Sequence, residues 1–137
     1  MSINRAVQTA YNNTTLAVTS ALTVVPILGS HVCDCGYDLA AITNGFRVRK
    51  NGVYRFSFDV TFTATTAGTV TASLYLDETP LPCASSSETV GDNSLTTLHV
   101  ETTIPVNACC VYRPVLTCRT SGLAGNVSHV CASAIKV

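Results

Sequence analysis

The stretch "NGVYRFSFDVTFTAT" (residues 51–65) decides the reading of the fold. Tyr54, Phe56, Phe58, Val60 and Phe62 fall on every second position, with Arg55, Ser57, Asp59, Thr61 and Thr63 between them. A repeat of two is that of a β-strand, whose successive side chains leave on opposite faces. Three of the chain's four phenylalanines therefore share one face of one strand. That face needs a large apolar partner, either a second sheet or a second chain.

Working outward, "RKNG" before the strand is a turn, because Asn51-Gly52 suits positive φ. After it, "TAG" (residues 66–68) is a tight connection to "TVTASLYLDETPLP", where Val70, Ala72, Leu74 and Leu76 share a face. So short a connection predicts that the two strands pair as an antiparallel hairpin. "CASSSETVGDNS" reads as a loop with a short strand near residues 87–90. "LTTLHVETTIPV" sets Leu98, Val100 and Ile104 against His99, Glu101 and Thr103, and "CCVYRPVLTCRT" and "NVSHVCASAIKV" supply two final strands. Upstream lie "LAVTSALTVV", a cysteine-bearing "SHVCDCG" and "FRVRKNG". The polar opening, residues 1–15, reads as an arm or edge strand ahead of a single domain over residues 16–137.

No useful stretch has helical periodicity, and turn signals recur at strand spacing, so the expected class is all-β. About eight antiparallel strands in this length suit a two-sheet jelly-roll sandwich. The aromatic face then lies between the sheets, with some of it available to a subunit contact.

Composition agrees. Charged residues are 12% of the 137, about half the usual share, and twenty threonines take their place. Formal net charge is zero, which leaves no electrostatic footprint for nucleic acid or an anionic membrane. A chain so poor in charge is poorly soluble with its whole surface bare, and copies of itself are the simplest cover. "LAVTSALTVVPIL" (residues 16–28) is too short to span a bilayer and contains Pro26. Nor does it resemble a secretory signal. The expectation is a protein made in the cytoplasm.

"NGVYRFSFDVTF…GTVTASLYLDETPLP" resembles the C1q/tumour-necrosis-factor-like jelly-roll superfamily, with Gly52, Tyr54 and Phe56 matching its Gly-x-Tyr-x-Phe strand. "ACCVYRPVLTC", "VSHVCASAIKV" and "HVCDCG" are similar to segments of small virion proteins encoded by phages and prophages of Gram-positive bacteria. The resemblance implies a homotrimer around a threefold axis, in a virion or surface role without catalysis. The absence of a Gly-x-y tract makes it a head without a stalk, and Asp77-Glu78-Thr79 stands where relatives often carry a glycine turn. On this basis Tyr54, Phe56, Phe58, Val60, Phe62, Leu74, Leu76, Leu98, Val100 and Ile104 are core or trimer-packing residues.

The chemistry-bearing residues leave alternatives open. Seven cysteines are an odd number, so pairing within one chain leaves one over. They read as inert buried thiols, as disulfides formed after lysis within or between subunits, or as a thiolate zinc site from Cys33, Cys35 and one of Cys109 and Cys110, with His31 as a further donor. In an extended strand Cys109 and Cys110 would face opposite sides, one entering the core. Asp59 is placed for a cross-strand or intersubunit ion pair. Asp77, Glu78 and Asp92 sit in expected loops, where they would face ligands such as host glycans or, as in some relatives, calcium. The run "RVRK" (residues 47–50) reads as a solvated turn. No G-x-S-x-G elbow, H-E-x-x-H motif or phosphate loop is present, so no enzyme activity and no cofactor are expected. The expected function is a trimeric capsid-decoration or head-fibre subunit of a bacteriophage, partnered by itself, by capsid proteins and by host glycans. A spore-surface protein of related fold, or a carbohydrate-binding module, is the alternative.

Overall fold

The alternating stretch folds as one long strand, Gly52–Ala64, in a computed structural model that describes residues 6–137. Tyr54, Phe56, Phe58, Val60 and Phe62 are all fully buried on its inner side. This strand is β7 of twelve: β1 Val7–Asn12, β2 Leu16–Val18, β3 Thr23–Val24, β4 Ser30–Cys35, β5 Leu39–Ile42, β6 Gly45–Val48, β8 Gly68–Leu76, β9 Thr79–Val90, β10 Leu95–Val106, β11 Val115–Ser121 and β12 Gly125–Lys136 complete the set. One sheet runs β10-β7-β12-β1-β4 with β2 beside β12, and the other runs β5-β6-β11-β8-β9 with β3 beside β11. All pairings are antiparallel. The described residues contain no helix. The result is the expected all-β sandwich, with more than the eight strands expected because the short β2, β3 and β5 add to the long ones.

The aromatic face meets the second sheet. The Phe46 ring, from β6, lies 5.7 Å from that of Phe58 and 6.1 Å from that of Phe56, both within the range of favourable aromatic pairs. Val70, Ala72, Leu74, Leu116 and Cys118 close the core from the second sheet, while Leu98 and Val100 sit opposite Val60 and Phe58 in the first. Leu76 and Ile104 are only partly buried against its margin.

Four expectations need correction. β7 and β8 do not form a hairpin: β7 pairs with β10 and β12, and β8 with β9 and β11. Residues 65–67 carry the chain from one sheet to the other, since a few extended residues span the roughly 10 Å between packed sheets. The segment read as a loop, residues 83–94, is mostly β9, which forms the true hairpin with β8. Its apolar alternation is weak because it is an edge strand, exposed along most of its length. Residues 7–12, expected as an arm or edge strand, form β1 inside a sheet between β12 and β4; the first five residues lie outside the described region. Finally, Cys109 and Cys110 are not in a strand. They stand at a turn closed by the Cys109–Tyr112 bridge, and both are exposed.

The strand directions give the sandwich two ends. One gathers the turns around residues 36–38, 49–51, 77–78 and 107–114 with the end of β12, and the other gathers residues 65–67, 91–94 and 122–124.

Candidate functional site

Chemistry-bearing residues lie in three places: the outer face of one sheet, scattered cysteine and carboxylate positions, and a cleft at one end. The first is the outer face of the β10-β7-β12-β1-β4 sheet. Register places Thr9, Ser133, Ser57 and Glu101 in one row, and Tyr11, Cys131, Asp59 and His99 in another. Over β1 and β12 this face is hydroxyls, small apolar groups and a tyrosine, with His129 opposite Thr61 near the far end of β12. Charge is confined to the β7–β10 side. There His99 Nδ1 lies 2.7 Å from Asp59 Oδ1 and Nε2 lies 3.4 Å from Glu101 Oε2, with Arg55 4.0 Å from Glu101. The hydrogen bond to Asp59 is the main cause that raises the His99 pKa above its ordinary value, and Glu101 adds to it. The expected ion pair of Asp59 is therefore a cross-strand contact within one subunit.

The cysteines are scattered. Cys33 and Cys35 lie on one side of β4, with their sulfurs 3.7 Å apart. The shared hydrogen bond, together with modest desolvation, raises the Cys33 thiol pKa. Cys118 is buried in the core, and burial pushes its pKa up to about 12. Among the described residues no three His, Cys, Asp or Glu side chains converge as a metal-binding group. The set of Cys33, Cys35 and Cys109 or Cys110 is thus not assembled, and among the described residues no two cysteines form a disulfide.

The acidic loop residues also part company. Asp77 accepts from Val115 N at 3.0 Å and from Tyr112 Oη at 2.9 Å, while Glu78 takes the Arg119 guanidinium at 3.0 and 3.2 Å. Arg119 holds the Glu78 carboxyl below the usual carboxylate range. Asp92 instead accepts from Ala67 N at 2.6 Å, at the opposite end of the sandwich. Strand β9 separates the two groups by roughly 35–40 Å at strand rise, so they cannot share one ligand. Each caps a turn.

Sequence reading missed the third place, a cleft of about 490 Å³ at the Asp77 end, lined by Tyr37, Arg49, Lys50, Arg113 and Lys136 among others. Only Arg49 and Lys50 were visible as a basic pair. Arg113 and Lys136 arrive from the β10–β11 connection and the end of β12, and no local signal ties them to residue 49.

No protein-family model and no curated protein matches the sequence. Solved structures do match, nearly end to end. PRD1 vertex protein P5 aligns over 99% of both chains at 15% identity, with a TM-score of 0.74. The Eiger TNF of S. frugiperda covers 98% of this chain and 94% of its own at 10% identity and TM-score 0.75. The globular domain of zebrafish complement 1qA covers 97% of both at 10% identity and TM-score 0.70. Likeness at these identities reports architecture, and with the observed strand order it gives this chain the jelly-roll sandwich fold that those proteins share.

Proposed function

We propose that the chain is a non-enzymatic structural protein of a bacteriophage virion, a homotrimeric jelly-roll subunit that decorates the capsid or forms part of a head fibre. The observation that carries this reading is the outer face of the first sheet. Its β1–β12 region presents Thr9, Tyr11, Cys131, Ser133 and Ile135, none of them charged and all partly buried in the lone subunit. Neutral polar β surface of this kind costs little to desolvate against a copy of itself, whereas a freely solvated face is normally studded with charge. The end-to-end likeness to a phage vertex protein supports the virion setting, as does the resemblance of the cysteine-bearing segments. The ends of the sandwich stay free to meet capsid or host surfaces.

Two measurements test it. Light scattering of the purified chain should give three times the 14.4 kDa subunit mass, and a stable monomer at micromolar concentration refutes the assembly. Peptide mass spectrometry of purified particles from the source should find the chain in fixed proportion to the major capsid protein; finding it in spore coats instead moves the role to the spore surface.

A further inference from the structure

We propose that the cleft at the Asp77 end is a binding site for an oxyanion, a carboxylate, sulfate or phosphate group carried by a ligand of sugar size. Four of the chain's eight cationic residues line it, in a protein of zero net charge. They are not a sequence run: Arg49 and Lys50 come from the β6–β7 turn, Arg113 from the β10–β11 connection and Lys136 from the end of β12.

Three of the four are uncompensated. Among the described residues Arg55, Arg119 and Lys136 are paired with Glu101, Glu78 and Asp38. Among the described residues Arg49, Lys50 and Arg113 have no carboxylate partner, and Arg47 is the one unpaired cation outside the cleft. Like charges left together without partners repel, a standing cost that an anion between them removes.

The cleft is also preorganised. Tyr37 holds both guanidiniums: Arg49 lies 4.8 Å and Arg113 6.0 Å from its ring centroid. Arg49 Nη1 donates to the Tyr37 carbonyl at 3.1 Å, and Arg113 Nη2 donates to its hydroxyl at 3.0 Å. These contacts leave the other N–H groups of each fork unspent. Arg49 Nε is buried and has no hydrogen-bond partner, so the guanidinium meets the cleft through its terminal Nη groups. Asn51 Oδ1 accepts from Ala108 N at 2.6 Å and ties the two walls together. Guanidinium forks with such donors match the planar or tetrahedral geometry of oxyanions. The volume lies within the roughly 300–1,000 Å³ of small-ligand pockets. The site belongs to one subunit, so it stands or falls separately from the assembly.

The test is calorimetric titration of the intact protein at constant ionic strength with inorganic phosphate, sulfate and glucuronate, chloride serving as the control. Saturable binding of one anion per subunit, with chloride inert, is the expected result. Arg113→Gln and the exposed Lys50→Gln should each weaken it by about tenfold or more, the usual scale for losing a charge-assisted contact. Arg47→Gln should leave it unchanged, and circular dichroism should confirm that all three variants fold. Binding of phosphate and sulfate but not glucuronate assigns an ester group, and glucuronate alone assigns an acidic sugar. The proposal is overturned by no saturable binding of any probe, or by affinities that Lys50→Gln leaves untouched.

Discussion

His99 shows how far a single surface residue is set by its cross-strand neighbours. Register puts it opposite Asp59, and alternation puts Glu101 on the same side two residues on. Both carboxylates favour the imidazolium, so the folded pKa lies above the ordinary 6.5. The sign follows: this contribution to stability is complete below pH 6.5 and fades as pH rises through the folded value. An NMR titration of His99 should give a midpoint above 6.5, and Asp59→Asn should bring it back toward that value. A midpoint unmoved by the substitution would show that Asp59 is not the cause. The ion pair was legible in the sequence because strand alternation fixes which side chains share a face. Its partner was not, since register depends on which strand comes alongside.

At the level of elements, alternation located β7 to within a residue at each end and β8 and β10 nearly as well. It could not say which strands pair. The β7–β8 connection has a hairpin's length, yet both strands bury a continuous apolar stripe, and in a sandwich the two stripes can face each other across the core. β9 escaped because Pro80, Pro82 and a run of serines look like loop chemistry, and an exposed edge strand needs no apolar alternation. β1 escaped for a different reason. Its inward residues are Gln8 and Ala10, too polar and too small to register as a core stripe. Removing residues 1–12 should therefore abolish the native fold, leaving far-ultraviolet dichroism without its β signature; a truncated chain that folds and merely fails to assemble would restore the arm. In β7 itself, Phe58→Ala should cost roughly 3–5 kcal/mol, or roughly 10–20 °C in Tm, because the ring packs against Phe46 in a closed core. Chemical denaturation with the m-value held constant measures it.

For the whole molecule, composition carries the proposed association more than any motif does. A chain with so few charges has spent most of them in three places: the β7–β10 margin, the Glu78–Arg119 corner and the cationic cleft. The middle of the first sheet is left neutral. Ser133→Arg, at the centre of that neutral face, should lower the light-scattering mass from trimer to monomer while dichroism stays native; a variant that still forms trimers would put the contact on another face. The cleft was invisible beforehand because its four basic residues are joined by topology, not by spacing. One buried sulfur offers a view of the sandwich as a working whole. Cys118 lies at the centre of the second sheet, between Leu74 of β8 and the apolar floor beneath it, and its thiol resists ionisation until far into alkaline pH. An alkylating reagent will mark the exposed Cys35, Cys83, Cys109 and Cys110 of the folded protein and reach Cys118 only when the layers part, so that its labelling clock counts the openings of the molecule one at a time.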